Sequence, residues 1–176
     1  MTGAGGAGST VRAAEVGIDA TYQQFVTTGS DVDATVEMAE FSVMASNLNY
    51  LRDAALLHQI GKVVIRASSA ADPYEPLGGD LGQLLPELRT QWTSVIPVGT
   101  THDLALVARP GAGGGLAYVG VIGTASRYSA NGTDGNGDFS MIWRHGAGVA
   151  LAEPLMAAGG DEVVGPIPQR ARDVAA

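Results

Sequence analysis

The stretch that decides the fold is His102-Asp103-Leu104-Ala105-Leu106-Val107-Ala108, followed a few residues later by Gly115-Leu116-Ala117-Tyr118-Val119-Gly120. The first run is short and almost wholly apolar, which is typical of a strand that is covered on both faces. The glycine-rich segment from Pro110 to Gly115 predicts a turn, so Leu116 to Ile122 is predicted to be the next strand. The chain therefore has a buried sheet at its centre.

The elements upstream alternate in type. Thr10 to Ala20 alternates loosely and predicts a first strand, and the β-branched run Lys62 to Arg66 predicts another. Between them Ser30 or Asp31 can cap a long helix. Its apolar stripe recurs at three- and four-residue steps, at Val32, Val36, Ala39, Val43, Met44, Leu48 and Leu51.

A second helix is predicted from about Asp80 to Trp92, with one apolar face made of Leu81, Leu84, Leu85 and Leu88. The segment from Ser129 to Gly137 is rich in glycine and asparagine and predicts a loop. Strand, helix, strand, helix and strand in this order predict a layered α/β domain with a mostly parallel sheet. Residues 10–158 are predicted to form this domain, between a flexible tail at 1–9 and a poorly ordered tail at 159–176.

Composition excludes several classes of protein. The chain of 176 residues carries a formal net charge of −8, which argues against a general nucleic-acid binder. No apolar run approaches the roughly 20 residues that cross a bilayer, so no membrane partner is expected. The absence of cysteine excludes disulfides and thiolate metal sites. Gly3, Gly5 and Gly8 satisfy a dinucleotide-binding pattern, but they lack the preceding strand that such a site needs.

The two central motifs, with Trp143-Arg144-His145 after them, resemble the metzincin zinc metallopeptidases, particularly the reprolysin-like group. The resemblance covers roughly residues 10 to 148 and implies a zincin-like fold with an antiparallel edge strand. In that family the edge strand pairs with an extended peptide substrate, so Gly115, Leu116 and Ala117 would line the cleft. The resemblance also implies a zinc cofactor and secretion, although residues 1–10 lack the pattern of a signal peptide.

The chain departs from the family after His145. The family's helix reads H-E-x-x-H-x-x-G-x-x-H, and His145 occupies the first ligand position. Gly146 stands at the position of the general base, while Val149 and Leu155 stand at the second and third ligand positions. A catalytic zinc needs three protein ligands and a base. We therefore expect no catalytic residue, no stoichiometric zinc and no peptidase activity.

Other candidate sites have simpler interpretations. Glu153 is eight residues from His145, about 12 Å along a helix, too far to share one ion with it. The segment Asp134 to Asp138 resembles the opening of a calcium loop, but Phe139 and His145 stand where the pattern needs glycine and glutamate. His58 is expected near the end of the first long helix, where the helix dipole favours its charge. His102 and Asp103 point to opposite faces of a strand and do not form a dyad.

Two functions remain open at this point. The chain is either a metzincin-like domain with an incomplete zinc site, or a non-enzymatic binding or structural module. Such a module would use its exposed edge strand to pair with a peptide or a protein. The abrupt end of the resemblance after His145 also suggests the hypothesis of a shifted reading frame.

Overall fold

The computed structural model describes residues 11–96, 102–112, 114–118, 125–133 and 171–175. The elements in chain order are β1 (Arg12–Ala20), α1 (Tyr22–Thr27), α2 (Val32–Ala54), β2 (Leu56–Arg66), α3 (Leu81–Thr90), β3 (Leu104–Pro110), β4 (Gly115–Ala117), β5 (Tyr128–Thr133) and β6 (Ala171–Ala175). Short 3-10 turns lie at Ser69–Ala71 and Glu75–Leu77, and a π-helical turn at Gln91–Val95 extends α3.

One six-stranded sheet organises these elements, in the order β4-β5-β3-β1-β2-β6. All neighbouring strands are parallel except β4 and β5, which are antiparallel. The prediction of an α/β domain with a mostly parallel sheet and an antiparallel edge strand is therefore confirmed. Strand β6 lies within the segment that the sequence predicts as a tail.

Helix α2 covers one face of the sheet. Its start matches the prediction, because the Asp31 carboxylate accepts a hydrogen bond from the Ala34 N–H at 2.8 Å. It ends at Ala55, which has a left-handed backbone (φ 50°) although it is not glycine. The core on this side consists of apolar residues from β1, α1, α2, β2 and β3, among them Val16, Ile18, Phe25, Val36, Leu56, Ile65 and Leu106.

Helix α3 covers the other face. It begins close to the predicted start, and Asp80 caps it, with its carboxylate accepting from the Gly82 N–H at 2.9 Å. The predicted apolar face is confirmed, since Leu84, Leu85 and Leu88 are buried and Leu81 packs partly against them. Among the described residues, no helix is long and apolar enough to cross a membrane.

Strand β5 corrects the prediction of a loop from Ser129 to Gly137. Residues 128–133 form a strand that is parallel to β3, with Ser129 and Asn131 at 0% and 1% exposure. Serine and asparagine favour turns locally, but pairing with a buried strand outweighs that preference. Residues 134–137 lie outside the described part of the chain.

The end of the first long helix was also predicted wrongly. His58 lies in β2 and not on the helix, because the chain leaves α2 at Ala55 and enters the strand at once. The predicted stripe of α2 divides between two faces. Val36, Ala39 and Val43 are buried against the sheet, whereas Met44, Leu48 and Leu51 are exposed.

Candidate functional site

Strand β4 lies at the edge of the sheet, so the predicted substrate-binding residues form an edge strand. Gly115 and Leu116 are exposed and Ala117 is half-buried. Their partners in β5 are Asn131, Ala130 and Ser129, respectively. Among the described strands, β4 has a neighbour on one side only.

The main-chain bonds between β4 and β5 decide which groups face outward. The Gly132 N–H donates to the Gly114 carbonyl at 2.8 Å, and the Tyr118 N–H donates to the Tyr128 carbonyl at 3.4 Å. Residues 114, 116 and 118 therefore face β5. Because facing alternates along an antiparallel pair, the N–H and C=O groups of Gly115 and Ala117 point away from the sheet. These two residues present four main-chain groups to a further strand.

A glycine turn positions this edge strand. Gly111 and Gly114 have φ values of +78° and +84°, a region that side chains disfavour. Gly132 lies directly beneath this turn, where any Cβ would overlap the carbonyl oxygen of Ala112. The turn thus folds closely over β5 and brings β4 back antiparallel to it.

The side chains on the α3 side of the edge are apolar. Leu116 shares a face with Ala130, its partner in β5, and is 42% exposed. Tyr118 packs partly against the core under α3. An added strand would therefore meet an apolar side chain at its centre and a small residue on either side.

His102 and Asp103 make separate contacts. The His102 imidazole lies 3.3 Å from the Tyr128 hydroxyl through Nε2, and its ring packs edge-on against Trp92 at 5.0 Å. Asp103 instead accepts a hydrogen bond from the Glu15 N–H at 2.7 Å. Burial raises the pKa of Tyr128, so its hydroxyl stays neutral. His102 and Asp103 thus connect the start of β3 to β5 and to β1, respectively.

A buried charged cluster at the carboxyl ends of β1 and β2 was missed from the sequence. Asp19, at 0% exposure, accepts hydrogen bonds from Arg66 through Nε at 2.8 Å and Nη2 at 2.7 Å. It also accepts from the Tyr74 hydroxyl at 2.7 Å and from Trp92 Nε1 at 3.1 Å. The signal in the sequence is the alternation of Glu15, Gly17 and Asp19 on one face of β1, opposite the apolar residues of the other face.

The protonation states in this cluster follow from burial and from Asp19. Burial and the neighbouring Asp19 raise the pKa of Tyr74 well above its usual value, so the phenol remains a donor. Burial alone would lower the pKa of Arg66, but the hydrogen bonds and charge of Asp19 outweigh it and raise the pKa. The carboxylate is fully used by four donors and is closed to solvent. Asp19 is therefore a structural anchor.

The loop between β2 and α3 is tied to this cluster from both sides. Asp72 accepts hydrogen bonds from the Tyr22 N–H at 2.8 Å and the Tyr74 N–H at 2.9 Å. Burial raises the pKa of Asp72. From β3, Arg109 reaches the Tyr74 carbonyl at 3.2 Å and the Glu75 carboxylate at 3.4 Å. The charged side chains of Asp72 and Arg109 thus hold the loop in place and connect the carboxyl ends of β1, β2 and β3.

The zinc-site positions fall outside the described residues. These are His145, Gly146, Val149 and Leu155, and the calcium-like segment at 134–138 lies there too. Valine and leucine have no donor atom, so of the three ligand positions that the resemblance predicts only His145 has one, and a single imidazole does not fit zinc. Within the part of the chain that the structure describes, no group of three His, Asp or Glu side chains could hold a metal ion.

Comparison of the chain with protein-family models and with curated proteins found no match in either.

Proposed function

We propose that this chain is a metzincin-like domain with an incomplete zinc site, which binds an extended peptide along β4 without cleaving it. The single observation that carries the proposal is the outward-facing main chain of Gly115 and Ala117 at the antiparallel edge of the sheet. Strand addition supplies affinity through such main-chain bonds and specificity through alternate side chains.

The shape of the edge supports a peptide as the partner. Gly115 and Ala117 carry almost no side chain, so a second backbone can approach to the strand spacing of about 4.8 Å. Leu116 supplies one exposed apolar contact between them, at 42% exposure. An extended peptide with an apolar residue opposite Leu116 would contact that side chain and form main-chain hydrogen bonds with Gly115 and Ala117 at the same time.

The missing groups argue against hydrolysis. Cleavage by a metzincin requires a metal that is held by three side chains and a carboxylate that takes the proton of the attacking water. Gly146 has no side chain to take that proton, and Val149 and Leu155 cannot bind a metal. Binding without turnover is what remains of the family's chemistry.

A peptide-binding experiment on the full chain tests both halves of the proposal. The probe is a fluorescein-labelled octapeptide of alternating threonine and valine, and the control is the same peptide N-methylated at every second residue. We expect saturable binding of the first peptide, none of the second, and an intact peptide by mass spectrometry after prolonged incubation with zinc chloride. Failure of the unmodified peptide to bind would refute the pairing, whereas one tightly held zinc per chain with cleavage would refute the inactivity.

The second candidate is a structural module that associates with itself through β4. An open edge strand is a template for pairing with another copy of the same chain. Sedimentation analysis across a range of concentrations separates the candidates, since a dimer that the octapeptide does not dissociate would favour the structural module.

A further inference from the structure

Helix α2 has a second apolar face that the sheet does not use. The face toward the sheet is built from small and polar residues as well as apolar ones, with Ala39, Ser42, Val43 and Ser46 all buried. The opposite face carries four large exposed side chains, which we call the outer stripe: Phe41 (58% exposed), Met44 (55%), Leu48 (70%) and Leu51 (44%). A helix that is apolar on two faces is expected to be covered on both.

The spacing of the outer stripe is that of a coiled-coil seam. Its members follow one another at three, four and three residues, which corresponds to positions a, d, a and d of two heptads. Side chains with this repeat form the ridge that another helix with the same repeat can interlock with. A partner helix therefore fits the stripe better than an extended strand does.

A cavity beside the stripe gives a partner's side chains a place to enter. It has a volume of about 580 Å³ and lies between α2 and the first half of β2. Met44, Leu48 and Leu51 line it from the helix, and Leu57 and Ile60 line it from the strand. The apolar contact surface thus extends past the helix itself.

Pairing of a strand with β2 is blocked beside this cavity. The Asn47 side chain donates to the His58 carbonyl at 2.9 Å and accepts from the His58 N–H at 2.7 Å. These are the main-chain groups of His58 that a neighbouring strand would need. A strand therefore cannot pair with β2 at His58, and this favours a helix as the occupant of the outer stripe.

Charge selects the kind of helix. Helix α2 contains four acidic residues, Asp33, Glu37, Glu40 and Asp53, against one basic residue, Arg52, which lines the cavity, and the whole chain has a net charge of −8. Two copies of this helix would bring like charges together, whereas a basic helix would be attracted. We propose that the outer stripe of α2 binds a basic amphipathic helix of a partner protein, with apolar residues at the same heptad spacing.

Binding of two synthetic helices to the full chain tests the proposal. Both are about three heptads long with leucine at a and d, and they differ only in lysine or glutamate at e and g. By fluorescence anisotropy the lysine peptide binds saturably and at least about tenfold more tightly than the glutamate peptide. Raising the salt concentration to about 0.5 M weakens the binding of the lysine peptide several-fold, because the salt screens the attraction between the charges of the peptide and those of the chain.

A matched pair of variants locates the binding. Leu48→Glu places a charge in the centre of the outer stripe and lowers the affinity for the lysine peptide by at least about tenfold. Val95→Glu, at a residue that is 60% exposed on the turn after α3, is the control and leaves the affinity unchanged. Thermal unfolding of both variants checks that the fold is kept.

Four outcomes overturn the proposal. Equal binding of both peptides, or binding that Leu48→Glu leaves unchanged, removes the stripe as a basic-helix site. A dimer in sedimentation that Leu48→Glu dissociates assigns the stripe to a second copy of this chain. Absence of peptide binding together with a large loss of stability in Leu48→Glu shows that the chain covers the stripe itself.

Discussion

Asp19 and Arg66, from neighbouring parallel strands, form a two-pronged ion pair that is closed to solvent, with contacts of 2.8 and 2.7 Å. Their side-chain exposures are 0% and 7%. Tyr74 and Trp92 complete the shell around the carboxylate. A buried pair of this kind is costly to form but far costlier to break on one side only.

Removing one partner of the pair should therefore destabilise the domain strongly. Asp19→Asn leaves the Arg66 charge buried without its counter-charge, and we expect a loss of about 3–5 kcal/mol in the free energy of unfolding. Urea denaturation measures this loss. The double variant Asp19→Leu with Arg66→Met should recover part of it, because neither charge of the pair then remains buried. A loss below about 1 kcal/mol in Asp19→Asn would contradict the structural role.

Gly17 makes room for the indole of Trp92. A Cβ at Gly17 would overlap the six-membered ring of that indole, so Gly17→Ala should displace Trp92 and break its hydrogen bond to Asp19. We expect a loss of about 1–3 kcal/mol and a changed near-ultraviolet circular dichroism signal. Gly82→Ala in α3 is the control, and its stability should change by no more than about 1 kcal/mol. An equal loss of stability in Gly17→Ala and Gly82→Ala would show that Gly17 is not needed to make room for Trp92.

Burial of His58 should make stability depend on pH. Desolvation lowers the pKa of His58 from 6.5 to about 4, so the folded state resists a proton that the unfolded state accepts. The contribution is complete above pH 6.5 and is lost as the pH falls towards 4. It amounts to about 3 kcal/mol. Between pH 7.5 and pH 4, the free energy of unfolding measured in urea should fall more steeply for the native chain than for His58→Gln. The same pH dependence in both proteins would contradict this expectation.

The parts of this fold that could be predicted are those set by local chemistry. Asp31 and Asp80 cap helices through bonds to residues two or three positions away. Asp31 was one of the two residues predicted to cap α2, and Asp80 was predicted as the approximate start of α3. The glycine turn before β4 is equally local, so the edge strand was found. Strand β5 was missed because Ser129 and Asn131 prefer turns until β3 lies beside them.

The buried charged cluster could not be predicted for a related reason. Asp19 is separated from Arg66, Tyr74 and Trp92 by 47, 55 and 73 residues, and no periodicity links positions so far apart. Met44, Leu48 and Leu51 of the outer stripe were predicted to share one apolar face with the buried residues of α2, because periodicity shows that a helix has an apolar face and not which face meets the sheet. The zinc-site residues at 145–155 lie outside the described part of the chain, so their interpretation stays a prediction.

Asn47 should protect the edge of β2 from pairing. Its amide holds both main-chain groups of His58, and Asn47→Ala would leave them without these partners. We expect a loss of about 1–3 kcal/mol in stability and faster aggregation on heating. Light scattering during a thermal ramp measures the second effect. Ser42→Ala, which removes only a bond to the Met38 carbonyl in the same helix, is the control. Aggregation at the same temperature in both variants would show that this edge is not what Asn47 protects.

The facing of the main chain in β4 gives the sharpest test of the proposed peptide site. The Ala117 N–H points outward, so Ala117→Pro removes one of the four groups offered to a peptide and no bond to β5. The Leu116 N–H points towards Ala130, so Leu116→Pro removes a bond within the sheet. We expect Ala117→Pro to lose most of its octapeptide binding at nearly unchanged stability, and Leu116→Pro to lose stability as well. If Ala117→Pro bound the octapeptide as the native chain does, the peptide would have to lie elsewhere on the molecule.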